Sequence, residues 1–284
     1  MSETLAAAER RMAQELVVAG IGEAALEARL LLSHITGLSR AMIIAQSDRP
    51  LTPDEMQAVR EALSRRSMRE PLQHILGVTQ FYGLDIRTDA RALIPRPDSE
   101  CVVEAALDRM PKDTPLQVAD LGTGTGCLLA ALLTQRPLAR GEGVEASPEA
   151  AELARENIEA LGLTGRAGIF SGSWADWHGW AGADLIISNP PYIASEVIPA
   201  LEAEVRDHDP MRALDGGADG LDAYSEIISL AGAAMKPGAW LVLEIGYDQK
   251  AAVLGLMASS GFVEAASGAD LGGNDRWVAA RRPL

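Results

Sequence analysis

Cysteine is nearly absent from this 284-residue chain, which carries only Cys101 and Cys127. Two thiols in a chain of this size leave no disulfide framework to stabilise it. Histidine is scarce too. His34, His74, His178 and His208 stand far apart, and no Cys or His pair has the spacing of a ligand set, so no metal site is expected. The mean hydropathy is +0.04 and long apolar runs are missing. The run Leu128–Leu133 falls far short of the ~20 residues a bilayer requires, so no membrane span is expected. The start of the chain sets Glu3, Glu9, Arg10 and Arg11 among alanines. That pattern reads as an amphipathic helix and lacks the basic start and apolar stretch of a signal peptide, which makes the cytoplasm the expected location. Cations are in deficit, with 25 Lys and Arg against 40 Asp and Glu and a formal net charge of −15. Proteins that grip many phosphates carry a basic surface, so a protein or small-molecule partner is expected in preference to nucleic acid.

What is present is enough apolar residue, 48% of the chain, for a sizeable core and one large or two unequal domains. Up to about Arg69, Leu16, Val17, Ala24, Leu26, Leu30, Leu31 and Leu32 recur at three- and four-residue spacings, and Gly20, Gly22, Gly37 and Pro50 punctuate them. A bundle of four or five helices is predicted. Thr52-Pro53-Asp54-Glu55 is a helix start, with a capping hydroxyl, a proline in the first turn and acids near the positive dipole end. The bundle serves either stability or the docking of a protein substrate. The stretch 71–97 changes character. His74–Val78 and Gln80–Ile86 are short and rich in β-formers, and predict a hairpin joining two domains. Leu93-Ile94-Pro95-Arg96-Pro97-Asp98 then makes a stiff, extended entry to a helix capped by Asp98 or Ser99.

From Val102 onward strands and helices alternate. Strands are predicted at Leu116–Leu121, Ala139–Glu145, Ala167–Phe170, Asp184–Ser188, Trp240–Ile245, Phe262–Ala266 and Arg276–Arg281. Helices are predicted at Cys127–Gln135, Pro148–Ala160, Asp222–Met235 and Gln249–Ser259. The alternation implies a mainly parallel, doubly wound α/β sheet. The link 267–274 is too short for a crossover, so the last two strands should pair antiparallel.

Two segments carry chemistry. Asp120-Leu121-Gly122-Thr123-Gly124-Thr125-Gly126 sits where a strand gives way to a helix, at the sheet edge where open α/β folds bind ligands. Glycines there let the backbone approach a ligand closely. The third glycine comes one residue too early for the dinucleotide fingerprint. The next strand ends at Glu145, ~20 residues beyond the loop, where an acid can accept both hydrogen bonds of a ribose diol. Loop and acid together point to a nucleoside-containing cofactor. Trp174 can pack on adenine, whereas Trp177 and Trp180 read as structural. Cys127 reads as a small core residue and not as a nucleophile.

The second segment is Asn189-Pro190-Pro191-Tyr192, at the end of the fourth strand. Two prolines fix two φ angles, and Asn189 before a proline is pushed to an extended conformation. A rigid corner results. A planar amide nitrogen is a poor nucleophile because its lone pair is delocalised. The Asn189 side-chain oxygen and the Pro190 carbonyl can accept its two N–H bonds, and Tyr192 offers an aromatic face to a flat group.

These segments resemble the HemK/PrmC family, the peptide chain release factor N5-glutamine methyltransferases. The resemblance runs through Glu70–Gly77, Phe81–Leu84, Leu93–Glu100, the glycine loop and the Asn-Pro-Pro-Tyr corner. It continues through Val205-Arg206, Asp209-Pro210, Ala213-Leu214, Gly216–Leu221 and Gly272–Arg276. It implies a helical bundle over 1–70 that docks the substrate, a β-hairpin linker over 71–97 and a catalytic domain over 98–284. That domain is of the class I S-adenosylmethionine-dependent type, with a Rossmann-like, seven-stranded, mainly parallel sheet and an antiparallel last strand. The cofactor implied is S-adenosylmethionine, released as S-adenosylhomocysteine, on Gly122, Thr123, Gly124, Thr125, Gly126, Glu145, Trp174 and Asn189. Asn189, Pro190, Pro191 and Tyr192 are implied to hold the glutamine of a release-factor Gly-Gly-Gln motif, with Asn189, Pro190 and Tyr192 catalytic. The family often has Asp where Glu145 stands and usually an acid where Ser173 stands. A relative acting on a ribosomal protein shares the linker and corner. Asn-Pro-Pro-Tyr alone is shared with methyltransferases of adenine or guanine amino groups.

Overall fold

A computed structural model describes residues 3–284. The chain divides into two compact units. One comprises the described residues up to Gly77 together with Glu202–His208; the other comprises Val78–Leu201 and Asp209–Leu284.

The first unit is helical: α1 (Leu5–Val18), α2 (Ala24–Thr36), α3 (Arg40–Ala45), α4 (Pro53–Ser67) and α5 (Leu72–Leu76). Helix α1 buries Leu5, Ala8, Met12 and Leu16, a stripe of three- and four-residue spacings, against Ala28, Leu31 and Leu32 of α2 and Val59 and Leu63 of α4. At the head of α4, Thr52 accepts from the Glu55 backbone while Glu55 accepts from the Thr52 backbone, closing a capping box. Residues His74–Leu76, predicted as part of a hairpin strand, are instead the end of α5. The proline at 71 precedes its first turn and Gly77, at φ 71°, stops it in the left-handed region. Arg66 is almost fully buried, and its guanidinium reaches Glu27 at 2.6 Å and Glu204 at 3.0 Å; Arg69 meets Glu204 at 2.7 Å. Glu204 lies on a one-turn helix, α9 (Ala203–Arg206), counted in chain order.

The second unit opens with the hairpin, β1 (Val78–Phe81) and β2 (Leu84–Arg87), paired antiparallel. The extended segment 88–96 follows. Pro97–Ser99 form a short 3-10 turn running straight into α6 (Glu100–Leu107), so neither Asp98 nor Ser99 caps the helix as expected; the Ser99 side chain makes no capping bond. The remaining elements are β3 (Gln117–Leu121), α7 (Cys127–Gln135), β4 (Arg140–Glu145), α8 (Pro148–Ala160), β5 (Ala167–Ser171) and β6 (Leu185–Ser188). After them come α10 (Met211–Leu214), α11 (Asp222–Ala234), β7 (Trp240–Glu244), α12 (Lys250–Ser259), β8 (Val263–Ala269) and β9 (Asp275–Arg281).

The seven strands lie in the order β5-β4-β3-β6-β7-β9-β8. Pairs from β5 to β7 are parallel, and β9 is inserted antiparallel to both β7 and β8. Both faces are covered. Leu185 and Ile187 of β6 face one apolar layer with α6 and α7, and Ile186 faces the other with α11 and α12. That double coverage explains why the strand reads as a continuous apolar run. From β3 the chain turns towards β4, and from β6 it turns towards β7, so the crevice at the topological switch point opens between the carboxyl ends of β3 and β6. Among the described residues no helix is long and apolar enough to cross a membrane.

Arg66→Ala leaves two partly buried carboxylates without their shared cation. It should lower the unfolding free energy of the chain by about 3 kcal/mol, read from the urea midpoint.

Candidate active site

The glycine turn follows β3. Gly122, Gly124 and Gly126 all have positive φ, at 69°, 55° and 80°. The Gly122 position faces the Trp174 ring, 3.8 Å from where a Cβ would stand, so a bare backbone is set against an aromatic wall. Gly126 serves a different purpose: Ala154 of α8 lies 3.5 Å from where its Cβ would be, and it allows close helix packing instead of lining the cavity. Below the turn, Asp120 is fully buried. It accepts from the Thr123 hydroxyl at 2.6 Å and the Leu129 backbone at 3.3 Å, tying the turn to the start of α7. Its second oxygen, Oδ1, has no partner among the described residues, and burial pushes the carboxyl up to about 7.

Glu145 ends β4 with its side chain buried. One oxygen accepts from the Gly124 backbone at 3.0 Å and the other from the Ser147 backbone at 2.9 Å. Each oxygen keeps a lone pair, so the carboxylate is aimed without being exhausted. Trp174 is held from behind, because the Trp180 ring N–H donates to its carbonyl at 3.1 Å. Trp177 and Trp180 are buried, edge to face at 5.3 Å, and Trp177 donates to Glu142 at 2.7 Å; both are structural. Ser173 exchanges bonds with Asp176, donating to its carboxylate at 2.6 Å. Cys127 is buried and its thiol is pushed up to about 12, which removes it as a nucleophile.

The corner follows β6. Asn189 is half-buried and donates from Nδ2 to the Ser99 hydroxyl at 3.3 Å. Pro190 is buried. The Tyr192 hydroxyl donates to Glu244 at 3.4 Å, and burial together with that carboxylate pushes the phenol up to about 12. The backbone beyond the corner is pinned. The Ile193 N–H donates to Leu214 at 3.0 Å and its carbonyl accepts from Gly216 at 2.9 Å. A Cβ at Gly220 would stand 2.4 Å from the Tyr192 carbonyl oxygen, so only glycine lets that loop pass. The Tyr192 carbonyl accepts from Gln249 Nε2 at 2.9 Å, and Gln249 Oε1 in turn accepts from Gly246 at 2.9 Å and the Tyr224 hydroxyl at 3.2 Å.

These groups surround one cavity of about 300 Å³. Gly122, Thr123, Gly124, Thr125, Glu145, Ser173, Trp174, Asn189 and Pro191 line it; Gly126, Pro190 and Tyr192 do not. Tyr192 therefore stands behind the corner instead of offering its face to the cavity. Sequence reading missed Arg91, Ser147 and Arg212 on the lining and Gln249, Tyr224 and Glu244 beneath the corner. The one available signal was Glu244, an acid at the end of the apolar run Leu241-Val242-Leu243. A bare glycine cradle, an aimed carboxylate and an aromatic wall fit an adenosine-containing cofactor.

A sheet of this order with a nucleoside cradle and an Asn-Pro-Pro-Tyr corner at its switch point defines a class I methyltransferase. Residues 7–77 match the PrmC N-terminal domain and residues 103–204 the methyltransferase small domain. The release factor glutamine methyltransferase of Geobacter sulfurreducens is 44% identical, covering 92% of this chain and 91% of its own. That of Caulobacter vibrioides is 40% identical, covering 98% and 96%. A solved methyltransferase from Pyrococcus furiosus shares the fold with a TM-score of 0.51 at 17% identity, covering 72% of this chain and 91% of its own. The chain belongs to the release factor glutamine methyltransferase family.

Asp120 has a pKa raised by folding, so its contribution to stability is complete below the ordinary carboxyl range and is lost as pH rises through about 7. Asp120→Asn should lose less stability than the parent between pH 5 and pH 8, as read from paired urea midpoints at the two values.

Proposed function

We propose that this chain transfers a methyl group from S-adenosylmethionine to the side-chain amide nitrogen of the glutamine in the Gly-Gly-Gln motif of peptide chain release factors. The observation that carries the reading is that Asn189 and the glycine turn line one cavity, at the carboxyl ends of neighbouring strands. The reaction belongs to the cytoplasm, where release factors work. The unit over residues 1–70 is assigned to substrate docking, 71–97 to the linker and 98–284 to catalysis.

S-adenosylmethionine supplies a sulfonium methyl that the amide nitrogen attacks as the carbon–sulfur bond breaks, leaving S-adenosylhomocysteine. Everything else comes from the chain. Glu145 accepts from the ribose diol through the lone pairs that Gly124 and Ser147 leave open. Trp174 packs on the adenine, and Gly122, Thr123, Gly124 and Thr125 present backbone to the rest of the molecule. Asn189, which lines the cavity, accepts one amide N–H bond on its side-chain oxygen. The other is assigned to the carbonyl of Pro190, the next residue of the corner, which must be reached from the cavity's edge because Pro190 does not line it. Both acceptors favour the positive charge that develops on nitrogen and aim its lone pair. Pro191 closes the near wall, and Tyr192 braces the corner through Glu244. No strong base is needed, because the methylated, positively charged amide loses its proton to water afterwards.

The acceptor is identified by incubating the chain with labelled S-adenosylmethionine and purified release factor, ribosomal proteins or DNA. Label on the release factor is expected; label on a ribosomal protein or DNA alone replaces the release factor as substrate. Asn189→Ala should abolish transfer while weakening cofactor binding only slightly, and unchanged transfer removes Asn189 from the mechanism. Glu145→Ala should raise the Kd for S-adenosylmethionine about tenfold to a hundredfold by calorimetry, the loss of charge-assisted hydrogen bonds to the diol.

A further inference from the structure

Helix α8 turns one face toward two walls of the cavity. Ala150, Leu153, Ala154 and Asn157 recur along it at three- and four-residue spacings, and all four are buried. Ala150 and Leu153 pack on Ala92 of the extended segment 88–96, and Ala154 lies against Gly126 of the glycine turn. Asn157 breaks the apolar pattern. Asparagine is a poor helix former, yet here it sits inside the helix and is 1% exposed. Its side chain makes three hydrogen bonds, all to backbone. Oδ1 accepts from the Arg87 N–H at 2.8 Å, and Nδ2 donates to the Arg87 carbonyl at 3.1 Å and to the Thr125 carbonyl at 2.9 Å. A primary amide has one acceptor oxygen and two N–H hydrogens, so both hydrogens are used and only one orientation satisfies all three partners. Arg87 ends β2, where the extended segment begins, and Thr125 belongs to the glycine turn. Beside Asn157, Glu156 binds Arg91 of the same segment at 2.7 Å. Residues 91–96 and 122–125 line the cavity, whereas Asn157 does not. It joins two of the walls from behind.

We propose that Asn157 is a positioning residue for S-adenosylmethionine: its amide fixes the glycine turn against the segment 88–96 and so sets the slot that holds the cofactor. This rests on the reading that places S-adenosylmethionine in the cavity.

Two physical consequences separate this role from mere space-filling. The first concerns polarity. Aspartate has nearly the shape of asparagine and would still accept from the Arg87 N–H, but its second ionised oxygen would face the carbonyls of Arg87 and Thr125, acceptor against acceptor. Alanine leaves the same carbonyls without a donor but sets no charge against them. A position that only fills space would tolerate aspartate better than alanine; a position that clamps two carbonyls tolerates it worse. The second concerns coupling, which is reciprocal. If the amide clamp tightens the slot for the cofactor, the bound cofactor tightens the clamp by the same factor. The Arg87 N–H, held on Asn157 Oδ1, reports that tightening through its hydrogen exchange.

The test measures the Kd of S-adenosylmethionine by calorimetry, and kcat and KM on a release-factor substrate, at pH 8 for the wild type, Asn157→Ala, Asn157→Asp and Val253→Ala. Val253 of α12 is buried in the apolar layer on the other face of the sheet and serves as the stability control. Asn157→Ala should raise the Kd and KM for S-adenosylmethionine about tenfold or more, the effect of buried groups left without partners. Its kcat at saturating cofactor and its KM for the release factor should change little, because Asn157 stands away from the Asn-Pro-Pro-Tyr corner. Asn157→Asp should bind the cofactor more weakly than Asn157→Ala. Val253→Ala should lower the urea midpoint and leave the Kd unchanged. In the wild type, saturating S-adenosylmethionine should slow hydrogen exchange at the Arg87 amide beyond any general slowing seen in α12. A wild-type Kd in both Asn157 variants, tighter binding by Asn157→Asp than by Asn157→Ala, or an equal rise of Kd in Val253→Ala overturns the proposal. Should neither Asn157 variant fold, exchange in the wild type decides: a rate at Arg87 that the cofactor does not change overturns it. Failure of the wild type to bind S-adenosylmethionine is a separate outcome, and it fails the cofactor reading and the role of Asn157 together.

Discussion

Strands β3 and β6 end side by side, and the chain leaves them in opposite directions, so a gap opens that neither connection fills. Every functional feature is an answer to that gap. The β3 side lines it with backbone, using glycines at positive φ so that nothing intrudes. The β6 side lines it with a corner whose φ angles are fixed by two prolines. Glu145 reaches in from the neighbouring strand β4, and Ser99 from the turn before α6. A corner of prolines is rigid at a cost: it has no N–H groups at 190 and 191 by which the fold can grip it. It is held instead through carbonyls and side chains. Gln249 takes the Tyr192 carbonyl, Glu244 takes the Tyr192 hydroxyl and Gly216 takes the Ile193 carbonyl.

Much of this is legible in the sequence because it is local. The periodicities of α7 and α8, the apolar run of β6, the glycine turn and the Asn-Pro-Pro-Tyr corner are all decided by residues next to one another. The boundary between α5 and β1 misleads, since His74–Leu76 is as apolar as a strand and only Gly77 in the left-handed region reveals that a helix ends there. The cap expected at Asp98 or Ser99 fails for a different reason: the Ser99 hydroxyl is engaged by Asn189, ninety positions away in the chain. Tyr192, expected at the substrate, is turned to Glu244, again a partner from a distant strand. The insertion of β9 between β7 and β8 is not foreseeable from the short link before it, although the antiparallel pairing of the last two strands is. What stays hidden is the supporting layer of Glu244, Gln249 and Tyr224. Nothing in their immediate neighbours distinguishes them from ordinary strand-end and helix residues.

The buried acids show how such a site trades stability for arrangement. Asp120 and Glu244 both sit at strand ends where burial raises their carboxyls to about 7, and each leaves one oxygen short of a full complement of donors. Replacing either with an apolar group would relieve desolvation. It would also remove the hydrogen bonds that hold Thr123 in the glycine turn or Tyr192 in the corner, so the arrangement of the cavity explains why charged groups are kept where they cost stability.

The helical unit is not one continuous stretch of chain. Glu202–His208, which belongs to it, is reached only after the polypeptide has already built β3 to β6. Severing the backbone after Gly77 would thus not release a self-contained remainder. The longer piece would carry an orphaned fragment of the removed unit, with Glu204 stripped of the guanidinium groups of Arg66 and Arg69 that neutralise it. Ribosomal synthesis meets the same fact in another form: the helices emerge first, yet Arg66 waits for its second carboxylate until well over a hundred further residues have been made.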